Sequence, residues 1–217
     1  VVNALIGFSR LKTAMTSNDN GFVDIKKPNT LWYPAYEVRG EGIFIEFNQE
    51  DIDTWININP EVVERAMCVN KSYAQSFIGK NHSRIITPKF LMLHTLSHLL
   101  ISQLSFECGY SIASLSERLY CSEEDDGKKM AGIFIYTASG DSEGTLGGLV
   151  RQGRPDVFPK ILEKAITHAR TCSNDPVCIM SRGQGRDSLN LAACYACALL
   201  PETCCEEKNM FLDRGVI

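Results

Sequence analysis

The spacing of apolar positions divides the chain into segments of different period. Alternation dominates up to Asn48: an opening run from Val2 to Leu11 around Gly7, a polar stretch from Thr13 to Thr30, then Tyr33 to Val38 and Gly42 to Phe47 flanking Arg39-Gly40-Glu41-Gly42. Ile43, Ile45 and Phe47 alternate with Phe44 and Glu46, which predicts a β-hairpin across that turn. From Gln49 to Ile58, and again from Pro60 to Phe77, the period becomes helical, with Asn59 as N-cap and Pro60 at the first helical position. A longer helix is predicted from a Thr87 cap and a Pro88 start to Cys108-Gly109. It is apolar on most faces and hence central to the core.

Cys121 to Lys129 carries the acidic run Glu123-Glu124-Asp125-Asp126 and reads as an exposed loop separating two packing regions, 1–121 and 130–217. Beyond it, Gly132 to Tyr136 is a compact apolar strand, Thr137 to Leu149 is Gly-rich, and Pro155 to Arg170 is again helical. From Cys172 onward the apolar period fades while Cys, Gly and Asn accumulate, so something other than a hydrophobic core must order the tail. The fold class is α+β: N-terminal strands with a hairpin, central buried helices, a strand, Gly-rich turn and helix unit, and a cysteine-rich C-terminal tail.

Composition changes this picture in three ways. With 217 residues, 44% of them hydrophobic and 22% charged, the chain can bury a sizeable core, which excludes a disordered protein. Its most apolar segment, Phe90 to Phe106, is interrupted by His94, Ser97, His98, Ser102 and Gln103, which fits a buried helix and no membrane span. The absence of an export pattern leads us to expect a cytoplasmic protein, and the opening Val1 leads us to expect the C-terminal part of something longer. The net charge of −4 excludes coating nucleic acid by bulk charge, but Lys plus Arg minus Asp plus Glu gives −5 over 1–149, +3 over 150–190 and −2 over 191–217. Arg151, Arg154, Arg182 and Arg186 in the middle block are therefore the candidate DNA contacts, enough for weak binding only.

Six of the nine cysteines fall between Cys172 and Cys205. The two-residue gap between Cys194 and Cys197 lets both thiolates reach one ion from a tight turn, and a second pair closing a tetrahedron is the usual design of structural zinc. The candidate ligands are Cys172, Cys178, Cys194, Cys197 and Cys205; Cys178, Cys194 and Cys197 come first, and the fourth is Cys205 or Cys172. Cys204 and Cys205 are awkward joint ligands because they are adjacent. A disulfide framework, a redox pair at Cys194/Cys197 and an iron–sulfur cluster are the alternatives, disfavoured by the lack of an export signal, by the surrounding cysteines and by the spacing.

His94 and His98 stand four residues apart and so share one helix face, a spacing that can hold a metal. The zincin signature needs Glu where this chain has Thr95, so two hydrogen-bonded core histidines are the plainer expectation. The Gly-rich stretch lacks the Gly-Lys-Ser/Thr ending of a Walker loop, which removes nucleotide hydrolysis. A metal-dependent hydrolase would have to use His94, His98, Asp141 and Glu143; no catalytic residue is assigned.

The string Cys194-Tyr-Ala-Cys-Ala-Leu-Leu-Pro-Glu-Thr-Cys-Cys-Glu206, followed by Asn209 and Leu212-Asp213-Arg214 and preceded by Cys172-Ser-Asn-Asp-Pro-Val-Cys178, resembles the C-terminal region of the DrmB family of DISARM antiphage defence accessory proteins. Its tail resembles the wider MrfA-type zinc-binding domain family found at the C-termini of certain DNA helicases. The likeness extends upstream through Ser139-Gly-Asp-Ser-Glu-Gly-Thr-Leu-Gly-Gly-Leu149, His94-Thr-Leu-Ser-His98 and Val38-Arg-Gly-Glu-Gly-Ile-Phe44. The resemblance implies a non-catalytic zinc-binding module over 130–217, with the Cys-x-x-Cys pair and the cysteine after Pro-Glu-Thr, aligned as Cys205, in the zinc site. It also implies a helicase-type, DrmA-like partner and action on DNA, or else the zinc-bearing end of a repair helicase.

Overall fold

The computed structural model describes residues 2–11, 17, 20–26, 28–37, 39–122, 129–137 and 148–217, and the chain falls into two units, Val1–Arg39 and Gly40–Ile217. In the first unit, β1 (Val2–Ala4) pairs antiparallel with β4 (Ala35–Glu37), and β2 (Gly7–Ser9) pairs antiparallel with β3 (Phe22–Asp24). Each ladder is three residues long and mostly exposed, so neither buries the apolar face that makes a two-stranded ribbon stable in water.

The second unit is built on a three-stranded antiparallel sheet in which β7 (Met130–Thr137) lies between β5 (Gly42–Glu46) and β6 (Leu115–Ser122). The expected hairpin across Arg39-Gly40-Glu41-Gly42 is therefore not formed. Ala35–Glu37 pairs within the first unit, while Gly42 to Glu46 register against Tyr136 to Gly132. The reason lies at the turn itself: Glu41 is buried, its N–H donates to Thr137 Oγ1 at 3.0 Å, and its carboxylate accepts from Tyr110 Oη at 2.8 Å and from the Val150 N–H at 2.9 Å. A residue anchored on three other segments cannot sit at the exposed tip of a hairpin.

The acidic run Glu123 to Asp126 lies outside the described residues, but Ser122 and Met130 on either side of it are Cα partners in one sheet. Strand β6 has no counterpart in the periodicity noted from the sequence, because Arg118 and Glu117 interrupt its apolar run. Its core side nonetheless takes Leu115 and Glu117, both buried.

Helices α1 (Gln49–Ile58) and α2 (Pro60–Gln75) follow the expected capping chemistry in part. Asn48 accepts the Glu50 N–H at 2.9 Å, Pro60 opens α2, and Asn59 donates to Trp55 O where a cap was expected. Ser76 ends α2 before Phe77 by starting α3 (Phe77–Asn81), its hydroxyl accepting the Gly79 N–H at 3.0 Å. The central helix α4 (Pro88–Cys108) has the predicted bounds: Thr87 Oγ1 accepts the Phe90 N–H at 3.1 Å, and Gly109 takes the left-handed φ of +73° that closes the last turn. Leu91, Leu93, Leu100, Ile101 and Leu104 are fully buried, each contributing about 1.5–3 kcal/mol of burial. Around α4 pack the sheet, α5 (Gly148–Gln152) and α6 (Phe158–Ala169), the last starting three residues later than Pro155.

From Cys172 the regular structure is limited to short 3-10 turns, at Arg186–Ser188, Glu202–Cys204 and Arg214–Val216, and one antiparallel bridge between Gln184 and Asn190. It is held on α4 through one helical turn: His94 Nδ1 donates to Phe211 O (3.2 Å), Thr95 Oγ1 accepts the Asp213 N–H (2.9 Å), and His98 Nδ1 donates to Ala198 O (2.8 Å). Arg65 on α2 adds a bidentate pair to buried Asp213, 2.5 and 2.6 Å. Among the described residues no helix is long and apolar enough to cross a membrane.

Candidate metal centres

Among the described residues of the second unit, two groups of ligand atoms converge. In the first, the sulfurs of Cys172, Cys178, Cys194 and Cys197 all lie within 4.8 Å of one another. Cys197 and Ala198 both donate their N–H to Cys194 O at 3.0 Å, a tight turn that presents the two sulfurs of this pair on one side, 3.7 Å apart. Cys172 stands 3.5 Å from Cys194, and Cys178 stands 3.8 Å from Cys197. Sulfurs bound at about 2.3 Å around one tetrahedral ion would stand about 3.8 Å apart, and a disulfide would bring them to about 2.0 Å. The spacing fits the former.

The surroundings suit thiolates. The Asn174 N–H points to Cys172 Sγ (3.4 Å), Asn174 Nδ2 to Cys194 Sγ (3.3 Å), the Cys194 N–H to Cys197 Sγ (3.2 Å) and Gln184 Nε2 to Cys178 Sγ (3.8 Å). Burial pushes the Cys194 thiol up, but the Asn174 amide and the neighbouring thiols outweigh it and hold the pKa at about 7. Burial first, and then the Cys178 and Cys194 sulfurs, raise Cys172 and Cys197. Arg214 is buried close by, with Nη1 donating to Ala169 O at 2.9 Å and Nη2 to Asp175. Burial disfavours its charge, yet contact with Cys178 and the Asp175 carboxylate raises its pKa overall. A guanidinium there offsets part of the −2 charge that four thiolates leave on a divalent ion.

The second group lies wholly inside the core: His94, His98, Glu117 and Cys205, again with ligand atoms within 4.8 Å of one another. His94 Nε2 is 3.2 Å from both Glu117 Oε1 and Cys205 Sγ, and His98 Nε2 is 3.5 Å from the same Glu117 oxygen. Glu117 also accepts the Ser97 hydroxyl and the Glu206 N–H (3.2 Å), and Cys205 Sγ accepts the Asn209 N–H at 3.2 Å. Burial opposes charge on His94, but the Glu117 carboxylate and Cys205 raise its pKa to about 10; His98 rises for the same reasons. Burial alone would raise Glu117 and Cys205, and the two imidazoles reverse this, leaving both below their ordinary values.

The structure thus separates the sequence candidates. Cys172, Cys178, Cys194 and Cys197 come together, whereas Cys205 joins the histidines, carried there by the Glu202–Cys204 turn and by Glu206, which accepts the Leu119 N–H at 2.7 Å and pairs with Arg118 on β6. Cys204 is buried and points to Ile112 O at 3.2 Å. Glu117 is the residue that sequence reasoning missed. A lone carboxylate two residues from Leu115 and Leu119, on the core side of an alternating strand, was the available signal. Asp141, Glu143 and the motif Ser139 to Gly147 lie outside the described residues. His94 and His98 are sealed from solvent and already faced by a carboxylate and a thiol, which leaves no open position for a substrate. Arg151, Arg154, Arg182 and Arg186 are exposed, with Arg154 paired to Asp156 at 3.1 Å and Arg186 lying 4.0 Å from Asp187.

Residues 96–198 match the MrfA Zn-binding domain family. All four clustered thiols fall inside that span, as do His98 and Glu117, while His94 and Cys205 fall outside it. The chain is also 40% identical over 226 aligned positions, 98% of its own length, to the DISARM protein DrmB of Bacillus paralicheniformis (strain ATCC 9945a / NCIMB 11709 / CD-2). It spans 38% of the length of that relative.

Proposed function

Since residues 96–198 form an MrfA Zn-binding domain, we propose that this chain is a non-catalytic accessory module of a DISARM-type antiphage defence assembly, acting beside a helicase-type, DrmA-like partner on foreign DNA. Zinc is its structural cofactor, held by Cys172, Cys178, Cys194 and Cys197. The observation that carries this reading is the convergence of those four thiols at tetrahedral spacing inside the matched span. Zinc there supplies the order that the tail's sparse apolar surface does not, and it fixes the segment 178–197 that carries Arg182 and Arg186. A reducing, cytoplasmic setting suits a site that needs its thiols unoxidised. Binding to DNA by this chain is weak and depends little on salt, because a local excess of +3 neutralises few phosphates.

Co-purification of the native full-length protein, with mass spectrometry of what accompanies it, tests the partner: a helicase is expected, and its absence refutes the assembly reading. Titration with labelled DNA at two salt concentrations tests the second half. Tight, steeply salt-dependent binding by the isolated chain counts against it.

A further inference from the structure

We infer that His94, His98, Glu117 and Cys205 form a second zinc site, closed and structural, distinct from the four-thiol site. Both imidazoles donate Nδ1–H to backbone carbonyls, Phe211 O at 3.2 Å and Ala198 O at 2.8 Å, which can only accept. With a metal ion in place each ring is neutral and aims its Nε2 lone pair inward, the arrangement by which a second partner fixes the tautomer of a metal-binding histidine. What those lone pairs face is a carboxylate oxygen and a thiol sulfur, at 3.2 to 3.5 Å. Four electron-rich atoms converging in a sealed space repel one another unless protons or a cation lie between them.

His98 decides between the two. Its Nε2 is fully buried and has no partner in hydrogen-bond geometry, the Glu117 oxygen standing off at 3.5 Å, so a proton there would be poorly held, while a metal ion would use the lone pair. The spacing agrees: nitrogen and oxygen ligands at about 2.0–2.1 Å around a tetrahedral ion stand about 3.3–3.4 Å apart. Charge agrees as well. One carboxylate and one thiolate neutralise a dication, which is the condition for burying it among buried side chains. Two imidazoles with one hard and one soft anion favour zinc over calcium or magnesium, which take oxygen ligands. The site joins α4, β6 and the segment after Glu202, so it would fasten the tail to the core from within.

The experiment is a zinc count on the purified chain by elemental and native mass spectrometry, repeated on Cys194→Ser/Cys197→Ser and on Cys205→Ala and His98→Gln. Two ions per chain are expected, falling to one in the double cysteine variant and to one in either of the others. Cobalt exchanged into the double cysteine variant should show a thiolate charge-transfer band that Cys205→Ala removes. A single ion that disappears in the double cysteine variant overturns the second site and leaves the four-thiol assignment standing. A single ion that survives there and disappears in Cys205→Ala supports the second site and removes the first. Should the core variants fail to fold, the zinc content of the double cysteine variant, one or none, decides alone.

Discussion

The four-thiol cluster and the buried His94, His98, Glu117 and Cys205 cluster place the same number of ligands in one chain by opposite means. The first gathers its ligands from 26 consecutive residues, Cys172 to Cys197, in a segment with little regular structure and only partial burial. The second draws on a helix, a strand and the segment after a turn, spread over more than a hundred residues from His94 to Cys205, and every member is buried. An irregular, half-exposed loop cannot hold its shape by burial, so its order must come from the ion; four thiolates leave a net negative charge that solvent and Arg214 can absorb. A sealed core already has its shape, and there only a charge-balanced set is tolerated.

If this contrast holds, zinc removal separates the two regions. A strong chelator at neutral pH should strip the four thiols first, with amide protection lost over 172–199 while α4 and β7 stay protected. Hydrogen exchange read against zinc release checks this, and simultaneous loss of all zinc with collapse of α4 protection would break the comparison. Cys178→Ser, at the most buried thiol of the loop, should remove that zinc and lower Tm by roughly 6–12 °C, for a loss of about 3 kcal/mol, while leaving the sheet intact by circular dichroism.

Smaller changes sharpen the boundary. Tyr110→Phe removes the hydrogen bond to Glu41 that anchors the start of β5, so about 1–2 kcal/mol of stability should be lost with zinc content unchanged. Calorimetry with metal analysis reads both quantities, and a fall in zinc would mean that the sheet and the sites are coupled. Arg182→Ala/Arg186→Ala should leave stability within about 0.5 kcal/mol of the parent, because both side chains are exposed, while lowering DNA affinity alike across sequences. Unchanged affinity would remove these residues from the DNA-facing surface.

Much of this was legible in the chain. Thr87-Pro88 and Cys108-Gly109 set the bounds of α4 because caps are local chemistry, and Cys194-x-x-Cys197 announced a metal-binding turn because two residues are what a tight turn needs. The sequence also determined that the tail needs something beyond apolar burial. It could not choose between Cys172 and Cys205 for the fourth thiol, since either lies within reach along a flexible segment. Tertiary structure separates the two: Glu206, bound to Arg118 and Leu119 of β6, draws Cys205 to the histidines, and Cys172, following α6, stands with the loop thiols. It likewise placed Gly42–Glu46 against Met130–Thr137, because strand pairing depends on which partner buries the shared face and not on which lies nearest in sequence. Glu117 became a site residue for the same reason: its carboxylate meets two imidazoles and a thiol only once β6 lies against α4, a contact that no local pattern encodes.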